Sequence, residues 1–385
     1  MGLSGLQLKV ESAKKIQIVR ELPPNKSDLD FSLFWKVWDT LEARYFDKTK
    51  VDSQEMIYGA IEGMVSALGD PYTVFLPPKD NEVVNEDLSG SFEGVGIQIG
   101  FKGKNLAVVA PLSGSPAEKA GVKAGDFIVG IIDKENKVER GTVGISLTEA
   151  VKLIRGKAGS KVSLMLAQDG VGEAFTVEIT RAKLDIPSVI LTYVGENTDI
   201  ARLQLLKFGG DTNKEWDDKI QLLLSRKDDI KGIVLDLRNN PGGYLEGAVD
   251  IAGEFLKTGT TVVIEERSGG ERNEFKTQKI GRLINAPLAV LVNGGSASAA
   301  EILAGALKDK KRAKIVGETT FGKGSIQEPL ELNGGSGLHV TIARWLTPGG
   351  YWVNGKGLEP DVKIKDNEKT SGDEQLQAAV KIFEK

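Results

Sequence analysis

The chain has 385 residues, with 50 lysines and arginines against 54 aspartates and glutamates, one histidine and no cysteine, for a net charge of −4. That balance offers no basic footprint for a nucleic-acid partner, and the lack of cysteine removes thiol nucleophiles, thiolate zinc sites and disulfides. A single histidine and no H-E-x-x-H pattern leave no histidine-rich metal site, so neither a metal nor a cofactor is expected.

The length suits two or three domains. No run approaches the ~18 apolar residues that would span a bilayer. Residues 1–22 show no secretory pattern, and Met1-Gly2 is not followed by Ser or Thr at position six, as myristoylation requires. Residues 1–28 are charged and mixed, with a break at Leu22-Pro23-Pro24-Asn25, and read as a tail or linker. In the region 29–89, Phe31, Phe34, Trp35, Trp38, Leu41 and Tyr45 recur at the three- and four-residue spacing of an amphipathic helix. A second helix is predicted through Met56, Ile57, Ile61, Met64, Val65 and Leu68, stopped by Gly69-Asp70-Pro71. The aromatic face packs on the rest of the chain or on a partner, such as a second copy of it, and the pattern fits both.

Residues 90–183 have a β-rich texture. A glycine-rich opening, Gly94-Val-Gly-Ile-Gln-Ile-Gly100, precedes a strand at 106–109, a short helix begins at Pro116, and the apolar run 127–132 reads as a strand. Leu147, Val151 and Ile154 share one face of a helix that ends at Arg155-Gly156, and two alternating strands follow through Val162 and Val177. This order resembles a PDZ domain. The resemblance implies a carboxylate-binding loop at Gly94, Val95, Gly96, Ile97, Gln98 and Ile99, where consecutive N–H groups form a nest for a C-terminal carboxylate. The peptide would add as a strand beside the helix bearing Val151 and Arg155. A glycine-rich hairpin without a ligand is the alternative. A dinucleotide loop is not, because Gly94-x-Gly96-x-x-x-Gly100 misses the fingerprint by one position and opens a strand.

From 184 to 366 the texture is α/β: strands at 201–206, 233–238 and 261–265 alternate with helices marked by Trp216, Ile220 and Leu223 and by 248–256. Such alternation predicts a largely parallel sheet with crossovers. Gly242-Gly243 follows the second of these strands and is either a positive-φ turn or a place of close approach for a substrate or backbone donor. The most informative stretch is 287–327. An apolar run, Leu288 to Val292, reads as a buried strand. It leads through Gly294-Gly295 and Ser296-Ala297-Ser298-Ala299-Ala300 into a predicted helix. A hydroxyl at such a turn stands exposed, and the first helical N–H groups lack partners and suit a developing oxyanion. A further strand at 313–316 leads to Gly322-Lys323-Gly324.

Ser298 and Lys323 are therefore read as a nucleophile–base pair, the lysine made neutral by burial. His339 stands in a strand opposite the face of Leu338, Val340 and Ile342 and reads as an ordinary strand histidine rather than a base. Gly317-x-x-x-x-Gly322-Lys323 also fits a phosphate-binding loop. Gly324 replaces the Ser/Thr that would hold magnesium, however, and an extended Pro329-containing segment replaces the helix. A last helix, 373–383, closes the C-terminal segment 367–385 through Leu376, Ala379, Val380 and Phe383.

Several motifs in this order resemble the C-terminal processing (tail-specific) serine peptidases, over about residues 30–383. They are Leu68-Gly-Asp-Pro-Tyr72, the PDZ-like unit, Asp236-Leu-Arg-Asn-Asn-Pro-Gly-Gly243, Ser296-Ala-Ser-Ala-Ala-Glu301, Gly322-Lys-Gly324 and Glu359-Pro-Asp361. The resemblance implies a ClpP/crotonase-like α/β core with an inserted PDZ domain and an N-terminal helical segment. It selects Ser298 over Ser296 as nucleophile, with the lysine 25 positions on and Gln327 orienting it. It further implies backbone oxyanion donors at Ala299 and near Gly243, with Asp309 as a possible supporting polar group. By the same resemblance, the substrates are polypeptides with exposed apolar C-termini, and the enzyme works outside the cytoplasm. A PDZ scaffold with a dead hydrolase core, a nucleotide hydrolase and a small-acyl hydrolase are the competing classes.

Overall fold

A computed structural model describes residues 29–384 apart from 90, 103–104, 113, 124, 146, 169–172, 186 and 366–371. The expected tail at 1–28 lies outside these. The centre is a six-stranded sheet in the order Val189–Val194, Ile200–Leu205, Gly232–Asp236, Leu288–Val292, Lys314–Gly317 and Val362–Lys363. The first strand pairs antiparallel and the other five run parallel. Every residue of Gly232–Asp236 and Leu288–Val292 is buried, as continuous apolar strands are when both faces of a sheet are covered. Helices Thr212–Leu224, Leu245–Phe255 and Ala299–Asp309 build the main core, with Trp216, Phe255 and Leu303 inside it. On a second core, Leu376, Val380 and Phe383 pack around buried Ala379 of helix Glu374–Val380.

The second sheet was not anticipated. It is antiparallel, in the order Val74–Leu76, Gly337–Leu346, Thr261–Arg267, Arg272–Lys276, with Ser325–Glu331 also paired to Gly337–Leu346. Strand Arg272–Lys276 exposes nearly all its side chains, so no apolar alternation marks it. Val74–Leu76 carries the N-terminal region onto this sheet, so that region is not a detachable helical unit.

Helices Ser32–Arg44 and Ser53–Ser66 form as the spacing predicts, the second capped by Asp52, whose carboxylate accepts the Gln54 and Glu55 N–H groups. A further helix, Pro78–Ser89, begins with proline at its first position but has only Val83, Val84 and Leu88 as large apolar residues, too few to give a period.

The β-rich unit has the strand order Ile97–Lys102, Asn105–Pro111, Phe127–Asp133, Lys161–Ala167, Phe175–Thr180, with Val138–Gly141 added to the third. Ser91–Gly94 pairs with Ala182–Asp185, so the chain enters and leaves this unit through one two-stranded ribbon. Its core packs helix Leu147–Ile154 over the sheet through Ala150 and Ile154.

Candidate active site

Strand Leu288–Val292 ends in a tight turn, and Ser298 immediately precedes helix Ala299–Asp309 with φ 53° and ψ −117°. A non-glycine residue held there is strained, and such strain collects at functional turns. The two serines of the turn are used differently. Ser296 is fully buried, and its hydroxyl donates to the Leu237 carbonyl at 2.8 Å and accepts the Asn293 N–H at 3.0 Å. Ser298 is half-buried and faces a cavity. Gly242 approaches from strand Gly232–Asp236 with φ 102°, and a Cβ added to it would lie 2.8 Å from Ser298 Cβ. Of the two readings left open for Gly242-Gly243, the positive-φ turn is present, and the close packing there is against the Ser298 turn and Phe208. The N–H groups of Gly243 and Ala299 donate to no group among the described residues.

Lys323 follows strand Lys314–Gly317 on a turn packed too tightly for side chains on either side. A Cβ at Gly322 would come within 2.8 Å of the Gly357 nitrogen, and one at Gly324 within 2.6 Å of Trp352 Nε1. Gly322 leads into strand Ser325–Glu331 rather than a helix, which removes the helix N-terminus that a phosphate loop needs. Burial pushes the Lys323 amine below the usual lysine range, and the Asp70 carboxylate pulls it partly back. The amine lies 5.0 Å from the centre of the Tyr72 ring.

Beneath both turns sits Glu301, which is fully buried. Its carboxylate accepts the N–H groups of Ser298 at 2.9 Å, Gly322 at 2.7 Å and Lys323 at 2.9 Å, together with the Thr320 hydroxyl. Sequence reasoning passed over this residue, although Ser298-x-x-Glu301 is a capping-box pattern that would have flagged it.

One cavity of about 870 Å³ is lined by Gly243, Ser298, Ala299, Lys323, Gln327 and His339. No hydrogen bond joins Ser298, Lys323 and Gln327 to one another. The Gln327 amide instead donates to the Ser325 hydroxyl at 2.8 Å and the Thr341 hydroxyl at 3.0 Å. His339 lines this cavity as well, although strand alternation put it on the face away from Ile342. Opposite Ile326-Gln327 the partner strand has three residues, Thr341 to Ala343, and the extra residue resets the alternation. Burial and the nearby Lys323 charge hold His339 below its usual range, so it is neutral at pH 7. Asp309 is not brought to the cavity. It ends the helix that Ser298 begins, and its carboxylate accepts the Gly349 N–H at 2.7 Å.

A second cavity, of about 660 Å³, separates the β-rich unit from the core. Val95, Gly96, Ile97, Ile99, Val151 and Arg155 line one side, and Arg202, Arg238 and Asn239 the other. Gly94 does not line it; it ends the entry ribbon opposite Ala182. Gln98 lies on the adjacent edge strand, opposite Ala110. The Val95 and Gly96 N–H groups donate to no group among the described residues, and the Arg155 guanidinium lies 4.8 Å from the centre of the Phe92 ring.

This architecture is that of a serine peptidase carrying a peptide-binding PDZ domain. The family model for peptidase family S41 matches residues 199–364, that for the PDZ domain matches 108–168, and that for the activating protease CtpB N-terminal domain matches 5–80. The chain is 37% identical to the carboxy-terminal processing protease CtpA of Bacillus subtilis, over 90% of this chain and 72% of that protein. It is 34% identical to CtpB of the same organism, over 90% and 70%. Among solved structures, a photosystem II D1 C-terminal processing protease superposes with a TM-score of 0.54 at 33% identity, over 89% of this chain and 95% of the other. The chain belongs to the carboxy-terminal processing proteases of peptidase family S41. It is a C-terminal processing serine protease with a PDZ domain, and its substrates are polypeptides.

Proposed function

We propose that Ser298 is the nucleophile, Lys323 its general base, and the Gly243 and Ala299 N–H groups the oxyanion donors of this peptidase. The observation that carries the reading is the shared cavity: a half-buried serine on a strained turn and an amine held below the usual lysine range by burial line the same space. Neutral Lys323 turns toward Ser298 and takes its proton as the oxygen attacks the scissile carbonyl. The Gly243 and Ala299 donors accept the charge that develops. Protonated Lys323 then gives its proton to the departing amine, leaving an acyl-enzyme, and takes another from the water that hydrolyses it. Gln327 orients the turned lysine, exchanging its present bonds to Ser325 and Thr341.

The substrate tail adds beside strand Ile97–Lys102, with its carboxylate on the Val95–Gly96 nest and its last, apolar side chain in the cavity beside Val151. The exposed N-terminal helices pair with a second copy of the chain. The enzyme works outside the cytoplasm, a reading that rests on the family and that cell fractionation with a tagged chain would overturn by finding it in the cytoplasm.

The chemistry is tested by mass spectrometry of an unfolded protein with a free apolar C-terminus, digested by wild type, Ser298→Ala and Lys323→Ala. Each variant should fold and lose about 10⁴-fold or more in turnover. Cleavage by Lys323→Ala at the wild-type rate would remove the lysine from its role.

A further inference from the structure

The loop between helix Ser53–Ser66 and strand Val74–Leu76 reads from sequence as a helix stop and as one motif of the family resemblance, with no role attached to its residues, and the fold brings it to the amine of Lys323. We infer, resting on the reading of Lys323 as the base, that Asp70 and Tyr72 are positioning residues that hold this amine off Ser298 and so make the N-terminal segment part of the catalytic site.

The Tyr72 ring offers its face to the amine, with 5.0 Å between the nitrogen and the ring centre, a geometry that favours the charged form. The loop is fastened where it must be to do this. One oxygen of the Asp70 carboxylate accepts the Tyr72 N–H at 3.0 Å and the other accepts the Thr73 hydroxyl at 2.7 Å. The Thr73 oxygen in turn accepts the Thr341 N–H at 3.0 Å, and Val74 pairs with His339. The Thr341 hydroxyl accepts the Gln327 amide at 3.0 Å. The loop therefore holds the lysine directly and holds the glutamine expected to orient it through one threonine.

The charged and titratable groups around the amine come from three elements. Asp70 on the loop favours its protonated form, His339 stands on strand Gly337–Leu346 and is neutral, and the Glu301 carboxylate accepts the Lys323 N–H. Removing the Asp70 charge, or the Tyr72 face, should make the amine give up its proton more readily. A loop that merely braces the fold would change the rate equally at every pH.

The test is the rate at which a fluorophosphonate probe labels Ser298 in the full chain, measured against pH. Asp70→Asn should move the acid limb of that profile to lower pH by about one unit. Tyr72→Leu should move it the same way, and Tyr72→Phe, which keeps the ring, should restore the wild-type limb. Tyr72→Leu and Tyr72→Phe keep the test decisive if Asp70→Asn fails to fold. Unmoved limbs in the folded Asp70→Asn and Tyr72→Leu proteins, or a limb in Tyr72→Phe that follows Tyr72→Leu, would overturn the inference. Lys323→Ala separates the two levels. If it labels at the wild-type rate, the base assignment itself falls; if it is unreactive while the limbs stay fixed, only the role of Asp70 and Tyr72 falls.

Discussion

Glu301 fixes the Ser298 turn to the Lys323 turn at a single point, because one of its carboxylate oxygens accepts the N–H groups of both Ser298 and Lys323. It is satisfied by four donors in a buried setting, three backbone N–H groups and the Thr320 hydroxyl, where any bond lost leaves a polar group unpaired. Glu301→Gln turns one acceptor into an NH₂ that faces donors. The expected cost is about 2–4 kcal/mol of stability, read as a lower melting temperature. Turnover should fall more than about 10²-fold with little change in KM, since the error is one of placement.

His339 allows a different check. It is half-buried, neutral and within the field of Lys323, so it resembles a base by location. The lysine reading requires that His339→Gln keep turnover within about tenfold of wild type, whereas loss of a triad histidine costs about 10⁴-fold. At this scale the sequence was legible where residue type and spacing single out a position, as for Ser298 and Lys323, which line one cavity. It was not legible for Asp70 and Tyr72, whose relation to Lys323 crosses some 250 positions of chain and exists only because Val74–Leu76 pairs with Gly337–Leu346.

At the scale of elements, long apolar runs identified themselves. Leu288–Val292 and the 233–236 run could be placed as buried strands because nothing polar interrupts them. Helix Pro78–Ser89 and strand Arg272–Lys276 hid because their exposed faces outweigh their buried ones. The groove helix Leu147–Ile154 shows what the period alone leaves out. Its last carbonyls, of Leu153 and Ile154, accept bonds from Arg181, whose guanidinium also pairs with Asp133 at 2.8 Å with both side chains buried. Burial would raise the Asp133 carboxyl, but the Asn136 donors and then Arg181 outweigh it and hold it below the usual carboxylate range.

That contribution to stability is present above the ordinary carboxylate pKa and fades as pH falls through the depressed folded-state value. Arg181→Met would leave Asp133 buried without its cation, a loss of about 3–5 kcal/mol for the PDZ unit. Calorimetry should show that unit melting earlier, and tail peptides should bind more weakly as the groove helix loosens. An unchanged melting profile would mean that the buried pair does not support the helix.

For the molecule as a whole, composition excluded thiol chemistry and a histidine-rich metal site and charge gave nucleic acid no footprint, while the arrangement of domains had to come from packing. The pairing of Ser91–Gly94 with Ala182–Asp185 places the PDZ groove over the core rather than away from it, so a tail in the groove lies beside Arg202 and Arg238. The aromatic N-terminal helix is the part whose two readings sequence left open, and the structure divides it: Trp38 is buried, while Leu33 and Phe46 are 71% and 99% exposed. Met64 and Leu68, from the second helical segment, are 67% and 69% exposed, so both helical segments carry exposed apolar side chains. A single exposed apolar side chain is ordinary, but several large ones gathered in one region of the chain suit an interface. A twofold pairing of this region would cover the patch on both copies with one self-complementary contact. Leu33→Asp combined with Val37→Asp places charges on the exposed side of the first helix without touching Trp38. Sedimentation should then show wild type as a dimer at micromolar concentration and the double variant as a monomer, with Ser298 still reactive to the probe. A wild-type chain that sediments as a monomer across that range would assign the patch to a different partner.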